Sequence, residues 1–205
     1  QDRVQLSLEF LRSFEPPMQA LVLRQWLRRH EVPALPEARL AGFLRQLAEA
    51  QPGRQPEVAW AGWLMKRYRD TLWLHRREPG YRCAEAAWRD GTSVDLGRDA
   101  GYYRLLGPAA SPPAGWRVGP RRPGGRLQVR ADGPSRKTKH LLQEAGVPPW
   151  LRLGIPVLYW DDEPVALGDW AFGHRLQDWL GQQALELAWQ PADPVLQRVR
   201  EHCPG

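Results

Sequence analysis

The hydrophobic pattern changes its period between residues 51 and 58, and this change limits the folds that the chain can adopt. Before it, apolar residues recur at helical spacing, as in Leu40, Phe43 and Leu47. After it, short runs such as 64–69 and 102–106, bounded by turn-forming residues, are typical of strands. The pattern predicts an α+β fold of two small domains. One is a helical N-terminal domain with a β-hairpin, and the other is a mixed α/β C-terminal domain.

Proline and glycine suggest where these domains divide. The run Gly107–Gly115 has the composition of a linker. We therefore predict a helical-plus-hairpin domain over 1–80, a β-rich connection and linker over 81–115, and an α+β domain over 116–205. A final helix is expected to open at Asp193, with proline following it.

Several element boundaries can be predicted from single residues. Pro16-Pro17 suit the start of the first long helix, with Ser13 as a candidate N-cap. A helix is expected from about Arg136 to Ala145, with Ser135 as its N-cap. The acidic run Asp161–Glu163 lies between two apolar strands, so it predicts a solvated hairpin turn and not a catalytic carboxylate pair.

The residue types that usually carry chemistry form no constellation. The five histidines lack the spacing of a metal site, and no nucleophile elbow or Walker-type loop is present. Cys83 and Cys203 do not form a disulfide framework, which favours a reducing, cytoplasmic setting. No apolar run approaches the roughly 18 residues of a membrane span. We predict no catalytic residue and no metal ligand.

The charge is distributed unevenly along the chain. The formal net charge is +6 in total, but residues 117–139 alone carry +7 and residues 157–205 carry −5. A basic segment of this kind is typical of proteins that bind polyanions, although a basic solvated surface would have the same composition. The cluster Ser135–His140 is the strongest local signal, because cations at a predicted helix start oppose the helix dipole and suggest phosphate contacts.

The same segment resembles the C-terminal domain of bacterial tRNA(Ile)-lysidine synthetases. The similar motifs are SRKTKHLLQE at 135–144, GVPPWLR at 146–152 and PVL at 156–158. Upstream, LRQWLR at 23–28 and KRYR at 66–69 resemble the middle, substrate-binding domain of that family. The resemblance covers roughly residues 5–190. His140 departs from the pattern, since lysine is usual there, and residues 171–183 fit it poorly.

The resemblance implies a function in tRNA modification. Enzymes of this family use ATP to join lysine to the wobble cytidine of an isoleucine tRNA with a CAU anticodon. Their N-terminal ATP-pyrophosphatase domain carries an S-G-G-x-D-S loop, which this chain lacks. The chain would then need no cofactor of its own, because ATP and Mg belong to that domain, and it should be inactive alone. Its partners would be the tRNA body and acceptor stem and its own catalytic domain.

The phosphate contacts expected from the resemblance and the charge pattern are all basic. The first set is Arg130, Arg136, Lys137, Lys139 and Arg152, with Arg122 and Arg126 added from the preceding turn. The second set is Arg67 and Arg69 on the hairpin, and Arg24 and Arg28 on one helix face.

Two other classes of function stay open at this point. The acidic end could dock the basic segment of a second copy, which would make the chain a protein-interaction or dimerisation module. A self-contained enzyme of an unrecognised kind would instead need a deep pocket with converging titratable groups.

Overall fold

The structure is a computed structural model that describes residues 5–51, 53–76, 83–97, 100–108, 111–192 and 197. The chain divides into two compact units, Gln1–Pro79 and Gly80–Gly205. Helices and antiparallel sheets occur together, so the predicted α+β class is confirmed.

The first unit begins with a short strand and three helices. Strand β1 (Gln5–Ser7) is followed by α1 (Leu8–Arg12), α2 (Pro16–Arg29) and α3 (Glu37–Glu49). The predicted proline start of α2 is confirmed. Ser13, however, caps the C-terminus of α1, because a short helix that the apolar pattern does not reveal ends there.

An antiparallel sheet completes this unit. Its strands are β2 (Glu57–Trp60), β3 (Trp63–Tyr68) and β4 (Thr71–Arg76), and the order is β1-β4-β3-β2. The apolar faces of α2 and α3 cover the sheet with buried residues that include Leu23, Leu27 and Phe43. Burial of a side chain of this size is worth about 1.5–3 kcal/mol, so this layer of helices fixes the hairpin in place.

The second unit is richer in strands. They are β5 (Ala86–Ala87), β6 (Ser93–Asp95), β7 (Tyr102–Leu106), β8 (Trp116–Gly119), β9 (Arg126–Leu127), β10 (Arg136–Lys137), β11 (Val157–Trp160), β12 (Glu163–Leu167), β13 (Ala171–Phe172) and β14 (Glu186–Gln190). They pair in three sheets with the orders β13-β12-β11-β8-β5, β14-β7-β6 and β10-β9. The helices described in this unit are α4 (Thr138–Glu144) and α5 (His174–Gln183).

The residues between the two predicted domains take part in the sheets of the second unit. Strand β5 pairs with β8, and β7 pairs with β14 along its whole length. A stretch rich in proline and glycine can connect paired strands as well as domains, so composition alone does not identify an interdomain linker.

The other C-terminal elements agree with the sequence-based expectations in part. The hairpin around Asp161-Asp162 is confirmed, since β11 and β12 pair across it. Helix α5 was not predicted. The helix expected to open at Asp193 lies outside the described residues, apart from Gln197.

Candidate nucleic-acid interface

The centre of the predicted interface is a two-stranded basic ribbon, formed by β9, β10 and the loop between them. Arg126 pairs with Lys137 across it, and Arg136 pairs with Leu127. The Nε of Arg126 donates to the hydroxyl of Ser135 at 2.9 Å. The ribbon therefore brings basic residues from both sides of the loop next to one another and holds one of its arginines in place.

Helix α4 begins later than the sequence predicts. Lys137 is its N-cap and Thr138 its first residue, while Arg136 and Lys137 lie on β10. The backbone N–H of Thr138 donates to the carbonyl of Gly125 at 3.0 Å, and its side chain is buried. This bond continues the ribbon to the helix start, so the predicted helix is confirmed but begins two residues after Arg136, and the predicted cap at Ser135 is wrong.

Three of the predicted cations form what we call the exposed trio: Arg130, Lys137 and Lys139. Among the described residues, no carboxylate lies within 4.0 Å of their charged nitrogens. A phosphate that reaches the trio therefore displaces no internal ion pair, and the charge of these side chains is available to a polyanion.

The other cations of the same region are already engaged. Arg136 forms an ion pair with Glu144. Arg122 bonds to Asp162 at 3.1 Å, and this side-chain hydrogen bond raises the pKa of Arg122. Internal carboxylates therefore compete with an outside ligand for both of these arginines.

Arg152 lies in the interior and not at the surface. Only 5% of it is exposed, and its Nε donates to the carbonyl of Val147 at 2.9 Å. The bond closes the loop between α4 and β11, so the motif around Arg152 stabilises the fold. The burial of Arg152 leaves little of its side chain accessible to a phosphate, and its role as an RNA contact stays a prediction.

The predicted cations of the first unit lie on two elements. Arg69 is exposed beside the turn between β3 and β4, and the half-buried Arg67 donates from Nε to the carbonyl of Arg69 at 3.0 Å. Arg24 and Arg28 share the exposed face of α2, where Arg24 lies 3.7 Å from Glu37. Ion pairs this exposed contribute about 0–1 kcal/mol, so an outside anion can compete with them.

Sequence reasoning missed a cleft of about 260 Å³ beside the ribbon. Arg126, Ser135, His174 and Arg175 are among its lining residues. The N–H of His174 donates to the carbonyl of Gln128 at 2.9 Å, which places the start of α5 against the ribbon. The buried pair Leu176 and Leu180, spaced i and i+4, was the signal for this helix.

Neither a metal centre nor a membrane-spanning helix occurs in the part of the chain that the structure describes. No three histidine, cysteine, aspartate or glutamate side chains come together there as metal ligands would. No helix there has both the length and the apolar composition needed to cross a bilayer.

Two family models match the chain. Residues 6–73 match the TilS substrate binding domain, and residues 116–189 match the TilS substrate C-terminal domain. The second match contains the basic ribbon, the exposed trio and the cleft, so the interface lies within a recognised domain.

Several curated relatives align with nearly the whole chain. A tRNA(Ile)-lysidine synthase of Xanthomonas campestris (strain 8004) is 32% identical over 191 residues, which is 93% of this chain and 44% of the relative. The enzyme of the same name from Xylella fastidiosa (strain Temecula1) is 31% identical and aligns with 90% of this chain and 43% of its own. The one from Azoarcus sp. (strain BH72) is 34% identical and aligns with 94% of this chain and 43% of its own. The chain thus spans less than half the length of these relatives.

Proposed function

The chain belongs to the tRNA(Ile)-lysidine synthase family, and from this premise we propose that it is the part of such a ligase that holds the tRNA. The ligase joins lysine to the wobble cytidine of an isoleucine tRNA with a CAU anticodon. The two units bind the body and acceptor stem of that tRNA and so position the anticodon for a catalytic domain.

The exposed trio carries this proposal. Double-helical RNA presents phosphates and 2′-hydroxyls, and proteins read it mainly by shape and backbone. Three exposed cations without internal carboxylate partners, on one continuous segment of the described chain, suit such a backbone. Arg24, Arg28, Arg67 and Arg69 add a second group of contacts from the first unit.

The chemistry of the ligase is proposed to reside outside this chain. Its sequence contains no S-G-G-x-D-S phosphate loop. We propose that ATP and Mg bind to the catalytic domain of the longer protein, that the chain alone has no ligase activity, and that it works in the cytoplasm.

A titration with RNA tests the proposal. The chain is titrated with isoleucine tRNA (CAU anticodon) and with bulk tRNA at two salt concentrations. We expect tighter binding of the isoleucine tRNA, with log affinity falling by several units per unit of log salt if about six phosphates are neutralised. Binding of neither RNA, or salt-independent binding, would contradict the proposal.

A dimerisation module is the rival function. Measuring the native mass of the chain with and without tRNA distinguishes dimerisation from tRNA binding. A dimer that forms without tRNA supports the rival, whereas a complex of chain and tRNA supports the proposed function.

A further inference from the structure

The hairpin turn between β11 and β12 gathers arginines from three parts of the second unit. Asp162 forms ion pairs with Arg117 and Arg122, the latter at 3.1 Å. Asp161 accepts from Arg175 at 3.0 Å. The two carboxylates of the turn thus form ion pairs with three guanidinium groups. These come from β8, from the loop that precedes β9 and from α5.

Two of these arginines also lie over aromatic rings. The guanidinium carbon of Arg122 lies 4.6 Å from the ring centre of Tyr159, and that of Arg175 lies 4.0 Å from the ring centre of Trp160. A cation over an aromatic face is attracted by the ring quadrupole. Arg122 and Arg175 therefore each contact both an aromatic ring and a carboxylate, and a phosphate that binds them must compete with both contacts.

We propose that the Asp161–Asp162 turn contributes to the selectivity of RNA binding, because Arg117, Arg122 and Arg175 must each give up an ion pair before they bind a phosphate, whereas the exposed trio gives up none among the described residues. This inference rests on the proposed function. It assigns a positioning role to two carboxylates that the sequence alone presents as a solvated turn.

Charge and exposure explain why the turn discriminates between RNAs. The side chains of Arg117, Arg122 and Arg175 are 41%, 43% and 39% exposed, so without the carboxylates any phosphate backbone could reach them. An unrelated RNA binds non-specifically, through any exposed cations near its phosphates. A tRNA that fits the surface binds in one register, and its shape decides which cations its phosphates reach. Neutralising the surplus cations thus weakens the binding of arbitrary RNA more than that of the fitted one.

The position of the turn supports this role. Arg175 lines the 260 Å³ cleft beside the ribbon, together with Arg126 and with Glu163, the residue that follows the turn. The turn is therefore continuous with the candidate interface.

The backbone of the turn allows a clean test. Asp161 and Asp162 have φ of 50° and 68°, the left-handed conformation that a two-residue hairpin turn of type I′ needs at both positions. Asparagine adopts this conformation as readily as aspartate. Asp162→Asn therefore removes one charge and keeps the shape of the turn.

The experiment compares Asp162→Asn with Asp90→Asn, which makes the same charge change at an exposed residue with no ion pair among the described residues. Each variant is titrated with isoleucine tRNA and with an unrelated RNA duplex over a range of salt. For Asp162→Asn we expect roughly three- to tenfold tighter duplex binding and a salt slope steeper by about one to two units, because Arg117 is freed and Arg122 keeps only its longer contact with Glu85, at 3.9 Å. We expect tRNA affinity to change by less than about twofold.

A third variant shows whether the effect passes through the arginines. Adding Arg117→Gln and Arg122→Gln to Asp162→Asn should return the duplex affinity and slope to the parent values, which a merely structural effect would not do. Equal behaviour of Asp162→Asn and Asp90→Asn, or an equal gain for both RNAs, overturns the inference. A parent chain that binds both RNAs equally contradicts the proposed function instead, while the salt slopes still decide whether the turn withholds the arginines.

Discussion

The hydroxyl of Tyr103 lies 2.9 Å from the carbonyl oxygen of Gly168 and joins the central strand of one sheet to the end of β12 in another. The carbonyl of Pro156 lies 3.2 Å from the same hydroxyl. Tyr103 is fully buried, and the carbonyl of Pro156 also accepts from the backbone N–H of Gly168 at 2.8 Å, so it is the carbonyl of Gly168 that depends on this hydroxyl. Residues expected to connect two domains thus help to build the core of the second unit.

Tyr103→Phe should lower the free energy of unfolding by about 1–3 kcal/mol, because it removes the hydroxyl that donates to the buried carbonyl of Gly168. Chemical denaturation measures the change. Tyr102→Phe is the matched control, since Tyr102 is 41% exposed on the same strand and the effect of its substitution should stay within about 0.5 kcal/mol. Equal effects of the two variants would contradict the role given to the buried hydroxyl.

Lys137→Ala combined with Lys139→Ala should weaken tRNA binding and flatten its salt dependence by about two units, one for each phosphate that the variant no longer neutralises. Titration over a range of salt measures this. Arg104→Ala removes an exposed arginine from β7 and should leave the slope unchanged. If the double variant keeps the parent slope, the two lysines do not contact phosphates.

The variants Arg152→Met and Arg130→Met should show that one arginine contributes to stability and the other to RNA binding. The first removes the donor to the carbonyl of Val147 and should cost about 1–3 kcal/mol of stability, with the salt slope of the folded protein unchanged. The second alters an exposed side chain and should reduce the slope with little effect on stability. A flatter slope for Arg152→Met would restore Arg152 as an RNA contact.

Stability should fall in alkaline solution because of Cys83. Burial, and secondarily the charge of Glu85, raises the pKa of this thiol from 9.0 to about 12. The folded state then keeps a proton that the unfolded chain loses, so the contribution is complete below pH 9.0 and is lost between pH 9.0 and about 12. The slope for one group is at most about 1.4 kcal/mol per pH unit.

Unfolding of the Cys203→Ser protein, measured from pH 8 to about 10.5, tests this against the same protein with Cys83→Ala. The difference in unfolding free energy between the two should narrow as the pH rises. A constant difference would show that the thiol ionises equally in both states.

Periodic segments allowed the sequence to predict much of the fold. Helices α2 and α3, the strands β2–β4 and the hairpin of β11 and β12 all carry clear apolar spacing or turn residues. Helix α5 was missed because its apolar residues are few, and α1 because it has only five residues. The start of α4 was misplaced because a long-range bond between Thr138 and Gly125 decides it, and local propensity contains no such information.

The sequence predicted which basic residues cluster at the candidate site, but not which of them form ion pairs with carboxylates. Clustered basic residues predicted a polyanion-binding surface, and Lys137 and Lys139 of that cluster are exposed. No sequence rule tells which arginines meet carboxylates from elsewhere in the chain, as Arg122 meets Asp162 forty residues away. Nor does a motif show that Arg152 points inward, because a basic residue within it fits a buried loop clamp as well as a ligand contact.

The left-handed backbone at Asp161 and Asp162 has a consequence for how this surface can evolve. An aspartate codon becomes an asparagine codon by one nucleotide change, and the hairpin accepts either residue. If the proposed role of the turn holds, one such change would alter the attraction of RNA while the turn keeps its shape. At these two positions the charge of the side chain can change while the backbone conformation stays the same.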